Sequence, residues 1–354
     1  MLPENKLLIS KIKKIYYIFS SITYLQLYIP LVIEFSKINY KNIFIIRRNI
    51  KKYACPIRNK KNNKLLKYYQ KKYNFEVINY ENFENFENLK GIIFMVDGDI
   101  FGPNEVNRRE SLLFKLNKKN TLKISLTEHM NFQWVYNKFI NDIDYCIFSN
   151  KYFTDQFNMS TEKNIYLGNT KYDNILTKKE IYKKFNLNNE NKYCLILYPK
   201  RKFKEFNFIH LNKIYEYLKR LNFKIIVKTR PKDNNISKNH KGILNVCSDI
   251  YPNESLELMK ISNLCIMFSS SGNEETLFTE TPCIDLSIDK KPRNNYLLNE
   301  KTYIKLYDWE NFTYEQFKNK FDKLAKKSEI EIFSKLKKKF IFFLQKYKNS
   351  TKNL

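Results

Sequence analysis

The stretch that most constrains the fold runs from Leu264 to Leu286, LCIMFSSSGNEETLFTETPCIDL. Leu264 to Phe268 is an apolar run of strand length; Ser269, Ser270, Ser271 and Gly272 break it, and Asn273 to Phe278 has helix-forming character. A second apolar run, Pro282 to Leu286, follows at short spacing. Small residues at such a strand-to-helix turn let backbone N–H groups approach an anion, and the positive end of the helix dipole adds to the attraction, so a phosphate fits there. Glu274 and Glu275 lie on the first helical turn, where they favour the helix and can also accept hydrogen bonds from a ribose diol. An ordinary helix cap followed by acidic first-turn residues accounts for the same letters, and spacing alone does not separate the two readings.

Similar apolar runs recur along the whole chain. A first series falls at Leu31–Phe35, Ile43–Ile46, Phe75–Ile78, Ile92–Val96, Leu122–Leu126, Tyr145–Phe148 and Ile165–Leu167. A second falls at Cys194–Tyr198, Ile225–Lys228, Ile243–Val246, Leu264–Phe268 and Cys283–Leu286, with helical stretches at Ile209–Leu221 and Ser255–Ile261. Alternation of this kind predicts parallel sheets with helices on both faces. With 354 residues the chain exceeds the usual single core, and a hinge-like stretch, Gly168 to Lys179 (GNTKYDNILTKK), separates the two series. Residues 1–172 and 173–328 are therefore expected to form two doubly wound domains whose strand ends face a central cleft. Beyond Asp308 two helices are expected, Thr313–Lys326 on the second domain and Glu329–Tyr347, within 329–354, returning to the first. The segment Met1–Leu27 reads as an amphipathic helix, open to two roles: lying on an anionic membrane surface or packing on the protein's own sheet.

The formal net charge is +28, which by itself suggests nucleic acid, an anionic membrane or phosphate-bearing substrates. The lysines are scattered among Asn, Ile, Tyr and Phe, residues that AT-rich codons specify, and no zinc-finger, RNA-recognition or basic-region pattern accompanies them; specific nucleic-acid binding is not expected. The six cysteines, Cys55, Cys146, Cys194, Cys247, Cys265 and Cys283, have no metal-ligand spacing and sit mostly in or beside apolar runs. Together with the lack of a signal-peptide pattern they point to a reducing cytoplasm. Tyr24–Phe35 is too short, and too broken by Gln26, Pro30 and Glu34, to span a bilayer.

Candidate chemistry lies just after the strands. Asp97, Gly98 and Asp99 follow Ile92–Val96, placing a carboxylate at a strand tip, although an Asx turn uses the same residues. Thr127, Glu128 and His129 follow Leu122–Leu126, and the Glu-His pair offers two groups able to take a proton near neutral pH. Lys200 and Arg201 follow Tyr198, and Arg230 follows Lys228 and Thr229; these cations can neutralise a diphosphate.

From about Gly91 to Leu298 the residues resemble the GT-B superfamily, in the branch holding UDP-N-acetylglucosamine 2-epimerases, CDP-glycerol glycerophosphotransferases and capsule glycosyltransferases. Ser269–Glu275 aligns without a gap with the epimerase pattern of serine, two glycines, two variable residues and two glutamates, serines standing in for both glycines. Gly168–Asp173 matches the Gly-Asn-Thr hinge motif followed by Asp, Gly98-Asp99 a Gly-Asp pair, and Pro282 the turn after the nucleotide helix. The resemblance implies that Ser269, Ser270, Ser271 and Gly272 contact a donor diphosphate, that Glu275 holds the ribose, and that Asp99 and Glu128 match two epimerase acids. It also implies that His129 matches a glycerophosphotransferase active-site histidine. Neither cofactor nor metal is implied, because the nucleotide sugar enters as substrate. Where an epimerase has a further Glu and an Arg, this chain has Trp134 and Asn137; where it has His-Arg-Arg-Glu-Asn, Tyr198 to Lys202 stand. The second histidine of the glycerophosphotransferase branch is replaced by Lys232. Epimerisation needs the full acid–base set, whereas inverting transfer needs one base and a stabilised leaving group. The expectation is a transferase using a nucleotide-diphosphate donor and a glycan or polyol acceptor in cell-surface polysaccharide synthesis, cytoplasmic, with peripheral contact to an anionic membrane open to it. An epimerase or hydrolase, and a non-catalytic phospho-ligand or nucleic-acid binder, are the alternatives.

Overall fold

The computed structural model describes residues 12–19, 21–46, 60–79, 86–96, 116, 120–127, 140–148, 154, 161–198, 208–229, 244–247, 254–268, 270, 272–286, 303–306 and 313–326. The chain divides into two compact units between Asp173 and Asn174.

The first unit is built on β1 (Lys14–Phe19), α1 (Leu25–Lys37), β2 (Lys41–Ile46), α2 (Lys60–Tyr73), β3 (Glu76–Asn79), β4 (Gly91–Val96), β5 (Thr121–Leu126), β6 (Tyr145–Phe148) and β7 (Asn164–Tyr166). Its seven strands form one sheet in the order β3-β2-β1-β4-β5-β6-β7, and each neighbouring pair runs parallel. Two expectations are corrected here. The segment KIYYIF, read as part of an amphipathic helix, is β1, an interior strand of the sheet between β2 and β4. It has no polar face: Tyr16 and Ile18 join a core with Ile43, Ile93 and Met95, while Tyr17 and Phe19 pack in tilted and edge-on contacts with Tyr28 and Phe44 at centroid distances of 4.9–6.3 Å. Aromatic and β-branched residues buried on both sides are the mark of an interior parallel strand. Leu31–Phe35, read as a strand, is instead the second half of α1, which buries Leu25, Leu27, Tyr28, Ile29, Leu31, Val32 and Phe35 and leaves only a narrow outer stripe at Gln26, Ile33, Glu34 and Lys37.

The second unit contains α3 (Lys178–Phe185), β8 (Lys192–Leu197), α4 (Phe208–Arg220), β9 (Phe223–Thr229), β10 (Leu244–Cys247), α5 (Glu254–Ile261), β11 (Leu264–Met267), α6 (Asn273–Thr279), β12 (Cys283–Leu286), β13 (Tyr303–Leu306) and α7 (Tyr314–Lys326). Six strands form a parallel sheet in the order β10-β9-β8-β11-β12-β13. One face carries Cys194 and Ile196 against Ile214 and Leu218 of α4 and Phe317 of α7. The other carries Tyr193 and Leu195 against Ile181 of α3 and Leu258 and Met259 of α5. Helices cover both faces, so β11 is apolar along its whole length and β8 from Tyr193 to Leu197. As expected, α7 packs on its own unit: Tyr217 of α4 lies 5.1 and 5.7 Å from Tyr314 and Phe317. The helix expected at Glu329–Tyr347 lies outside the described residues.

The two sheets share one winding. The chain lays down three strands in one direction from the first strand of each unit and then returns to its other side, leaving topological switch points between β1 and β4 and between β8 and β11. In open α/β sheets ligands bind beyond the carboxyl ends of the strands at such points.

Candidate functional site

β11 flanks the switch point of the second sheet, with Leu264, Cys265 and Ile266 in register with Cys194, Leu195 and Ile196 of β8. The serine turn therefore leaves the sheet where a ligand is expected. Gly272 is the N-cap of α6: its carbonyl accepts the N–H groups of Glu275 and Thr276 at 3.1 and 3.2 Å. Its own N–H donates to Ser270 Oγ at 3.2 Å, closing a small hydroxyl turn. This hydroxyl turn precedes the helix and takes up none of the first-turn N–H groups of α6. A side chain at Gly272 would put its Cβ 3.1 Å from Leu197 Cδ1 at the tip of β8 and 3.5 Å from Met259 Cε of α5. Glycine lets the turn sit directly on these two groups. Glu275 is half-buried on the first turn of α6.

Helix α5 is the floor of this arrangement. Thr281 Oγ1 donates to Met259 O at 2.7 Å, and Ser262 Oγ donates to Leu258 O at 2.7 Å, so the last carbonyls of α5 are satisfied. Lys184 Nζ meets the buried Glu257 carboxylate at 2.7 Å, tying α5 to α3. At its other end Glu254 lies 3.6 Å from Lys228 Nζ, and both groups are largely buried. Lys228, at the end of β9, thus answers a carboxylate of the protein. Burial pushes the thiols of Cys194 and Cys283 well up, and Cys265 beside them adds to the effect.

In the first unit, β5 ends at Leu126 and Thr127 continues it, buried. Thr127 Oγ1 donates to Ile147 O of β6 at 3.1 Å, and its carbonyl accepts from Asn169 Nδ2 at 3.3 Å. Asn169 Oδ1 accepts the N–H of Lys171 at 3.1 Å, capping the short helical turn Thr170–Tyr172, and Thr170 Oγ1 donates to Leu27 O at 2.7 Å. Gly168 precedes them at φ 95°, a backbone that a residue with a Cβ rarely adopts. The Gly-Asn-Thr stretch, expected only as a hinge, is a buried brace between β5 and α1. A sequence signal for it exists in retrospect: Asn is the one residue type with a donor and an acceptor on one short rigid amide.

Of the site residues expected from sequence, the structure describes Ser270, Gly272 and Glu275 and brings them together at one turn. Ser269, Ser271, Lys200, Arg201, Arg230, Asp99, Glu128 and His129 lie outside the described residues. Among the described residues no cluster of three or more His, Cys, Asp or Glu side chains suits a metal ion, and no helix is long and apolar enough to cross a membrane.

No protein-family model matches the chain, and no curated protein matches it by sequence. Solved structures do. The UDP-GlcNAc 2-epimerase of Neisseria meningitidis bound to UDP-GlcNAc is 13% identical with a TM-score of 0.57, over 96% of this chain and 97% of that one. The wall teichoic acid polymerase TagF is 16% identical with a TM-score of 0.59, over 98% of this chain and 88% of that one. The Methanocaldococcus jannaschii UDP-GlcNAc 2-epimerase in complex with UDP-GlcNAc and UDP is 14% identical with a TM-score of 0.53, over 89% and 94%. The chain shares with them the GT-B fold of two Rossmann-like units.

Proposed function

We propose that the protein is a GT-B transferase that moves a group from a nucleotide-diphosphate donor to a hydroxyl of a glycan or polyol acceptor during cell-surface polysaccharide synthesis. The observation that carries the reading is the position of the turn at 269–272: it leaves β11 at the switch point of a sheet whose fold is shared with structures holding UDP-GlcNAc. In this reading Ser269, Ser270, Ser271 and Gly272 face the diphosphate, Glu275 accepts from the ribose hydroxyls, and Lys200, Arg201 and Arg230 offset the charge that builds on the leaving nucleotide. His129 takes the proton from the acceptor hydroxyl as its oxygen bonds to the transferred group and the bond to the nucleotide oxygen breaks. Glu128 orients or polarises the imidazole, and Asp99 is a further acid of the same unit.

The fold alone is compatible with epimerisation as well, but the residues at Trp134, Asn137 and Tyr198 do not supply the acids and histidine that moving a proton on and off a sugar carbon requires. Calorimetry with UDP and CDP tests the donor half of the reading. Glu275→Ala is expected to weaken nucleotide binding by about 1–3 kcal/mol, the scale of a lost hydrogen bond to a charged group. Equal affinity in the variant would remove Glu275 from the site.

A further inference from the structure

We propose that Asn169 is a positioning residue for the acid–base pair Glu128 and His129, acting through the peptide that joins Thr127 to Glu128. The inference rests on the reading of those two residues given above. The oxygen that Asn169 Nδ2 holds, at 3.3 Å and buried, is the Thr127 carbonyl, and that carbonyl belongs to the peptide bond leading into Glu128. A peptide unit is planar, so holding its oxygen restricts the direction in which the chain leaves the strand. The same residue is held from its other side, because Thr127 Oγ1 donates to Ile147 O on β6 at 3.1 Å. The end of β5 is therefore fixed by two hydrogen bonds that belong to no strand ladder.

The brace itself is anchored far away in sequence. Asn169 Oδ1 is committed to the Lys171 N–H, which sets the amide plane and leaves Nδ2 pointing at Thr127 O. Thr170 Oγ1, the next residue, is fastened to Leu27 O of α1 at 2.7 Å across 143 positions of the chain. Asn169 and Thr170 are 6% and 3% exposed, so water does not compete for these bonds. Such a network positions a strand tip without touching a substrate, and small displacements of a general base cost rate steeply.

Asn169→Asp isolates the effect. The carboxylate keeps the acceptor for Lys171 N–H, and so the cap, but loses the donor for Thr127 O. In the full-length protein, amide hydrogen exchange is measured on peptides spanning 126–129 and 91–96, alongside kcat and donor KM with UDP- and CDP-activated donors. The expected result is faster exchange at 126–129 with 91–96 unchanged, kcat lower by about 10- to 100-fold, and donor KM within about two-fold of the parent protein. Thr170→Val, which removes the bond to Leu27 O, is expected to act in the same direction. Unchanged exchange at 126–129, or altered exchange with unchanged kcat, overturns the proposal. If the parent protein turns over no donor, the transferase reading fails, and the exchange data alone still decide whether Asn169 holds the strand end.

Discussion

If His129 is the general base, His129→Ala leaves donor affinity nearly intact and lowers turnover by about 10²- to 10⁴-fold, the usual contribution of a positioned base. Glu128→Gln then has the smaller effect. Rate and donor affinity measured separately on both variants check this, and the opposite ranking would make the carboxylate the working group. These two residues are candidates because they come directly after a clean apolar run, Leu122–Leu126, which falls within β5. Asn169 was not visible as a partner of that strand, because 42 residues separate it from Thr127 and no local pattern records a hydrogen bond of that span. Ser270 shows the reverse case: its letters suit either an anion-binding turn or a hydroxyl cap. Its bond to the Gly272 N–H is a local hydroxyl turn ahead of the helix, which favours neither reading.

At the scale of elements, the sequence of this chain is legible wherever a strand is bounded by turn residues and misleading where apolar residues run on. β4, β5, β6, β11 and β12 fall where their apolar runs predict. β1 and α1 do not, because β1 is buried from Ile15 to Phe19 with no alternation and α1 buries so wide a face that its apolar run Leu31–Ile33 has the look of a strand. Scarcity of glycine, six in the chain, is a second reason. Asn39, Asn74, Asn186 and Asn222 take the left-handed conformation just after α1, α2, α3 and α4, positions where glycine commonly marks a helix end. In a chain rich in asparagine that signal is hidden. The glycines that remain are correspondingly constrained. Gly91 opens β4 at φ 140°, and a Cβ there would lie 2.5 Å from the carbonyl oxygen of Lys14 in β1. Gly91→Ala is expected to destabilise the protein by about 2–4 kcal/mol through backbone strain and overpacking between the two strands that flank the first switch point. Denaturant unfolding measures it, and a midpoint equal to that of the parent protein would show that β1 and β4 can separate at this position.

At the scale of the whole molecule, two units wound in the same strand order, each with its switch point, define what the chain can do more narrowly than its charge does. A net charge of +28 fits many anionic partners, whereas the proposed donor site at the serine turn, on the switch point of the second sheet, calls for a nucleotide diphosphate alone. The central claim is transfer to an acceptor, and release of nucleotide from UDP- and CDP-activated donors, followed with and without hydroxyl-bearing glycan or polyol acceptors, tests it most directly. The account predicts release that depends on acceptor and a product in which the transferred group is joined to it. Formation of a new or free sugar in the absence of acceptor, or no release with any donor and acceptor, would contradict it.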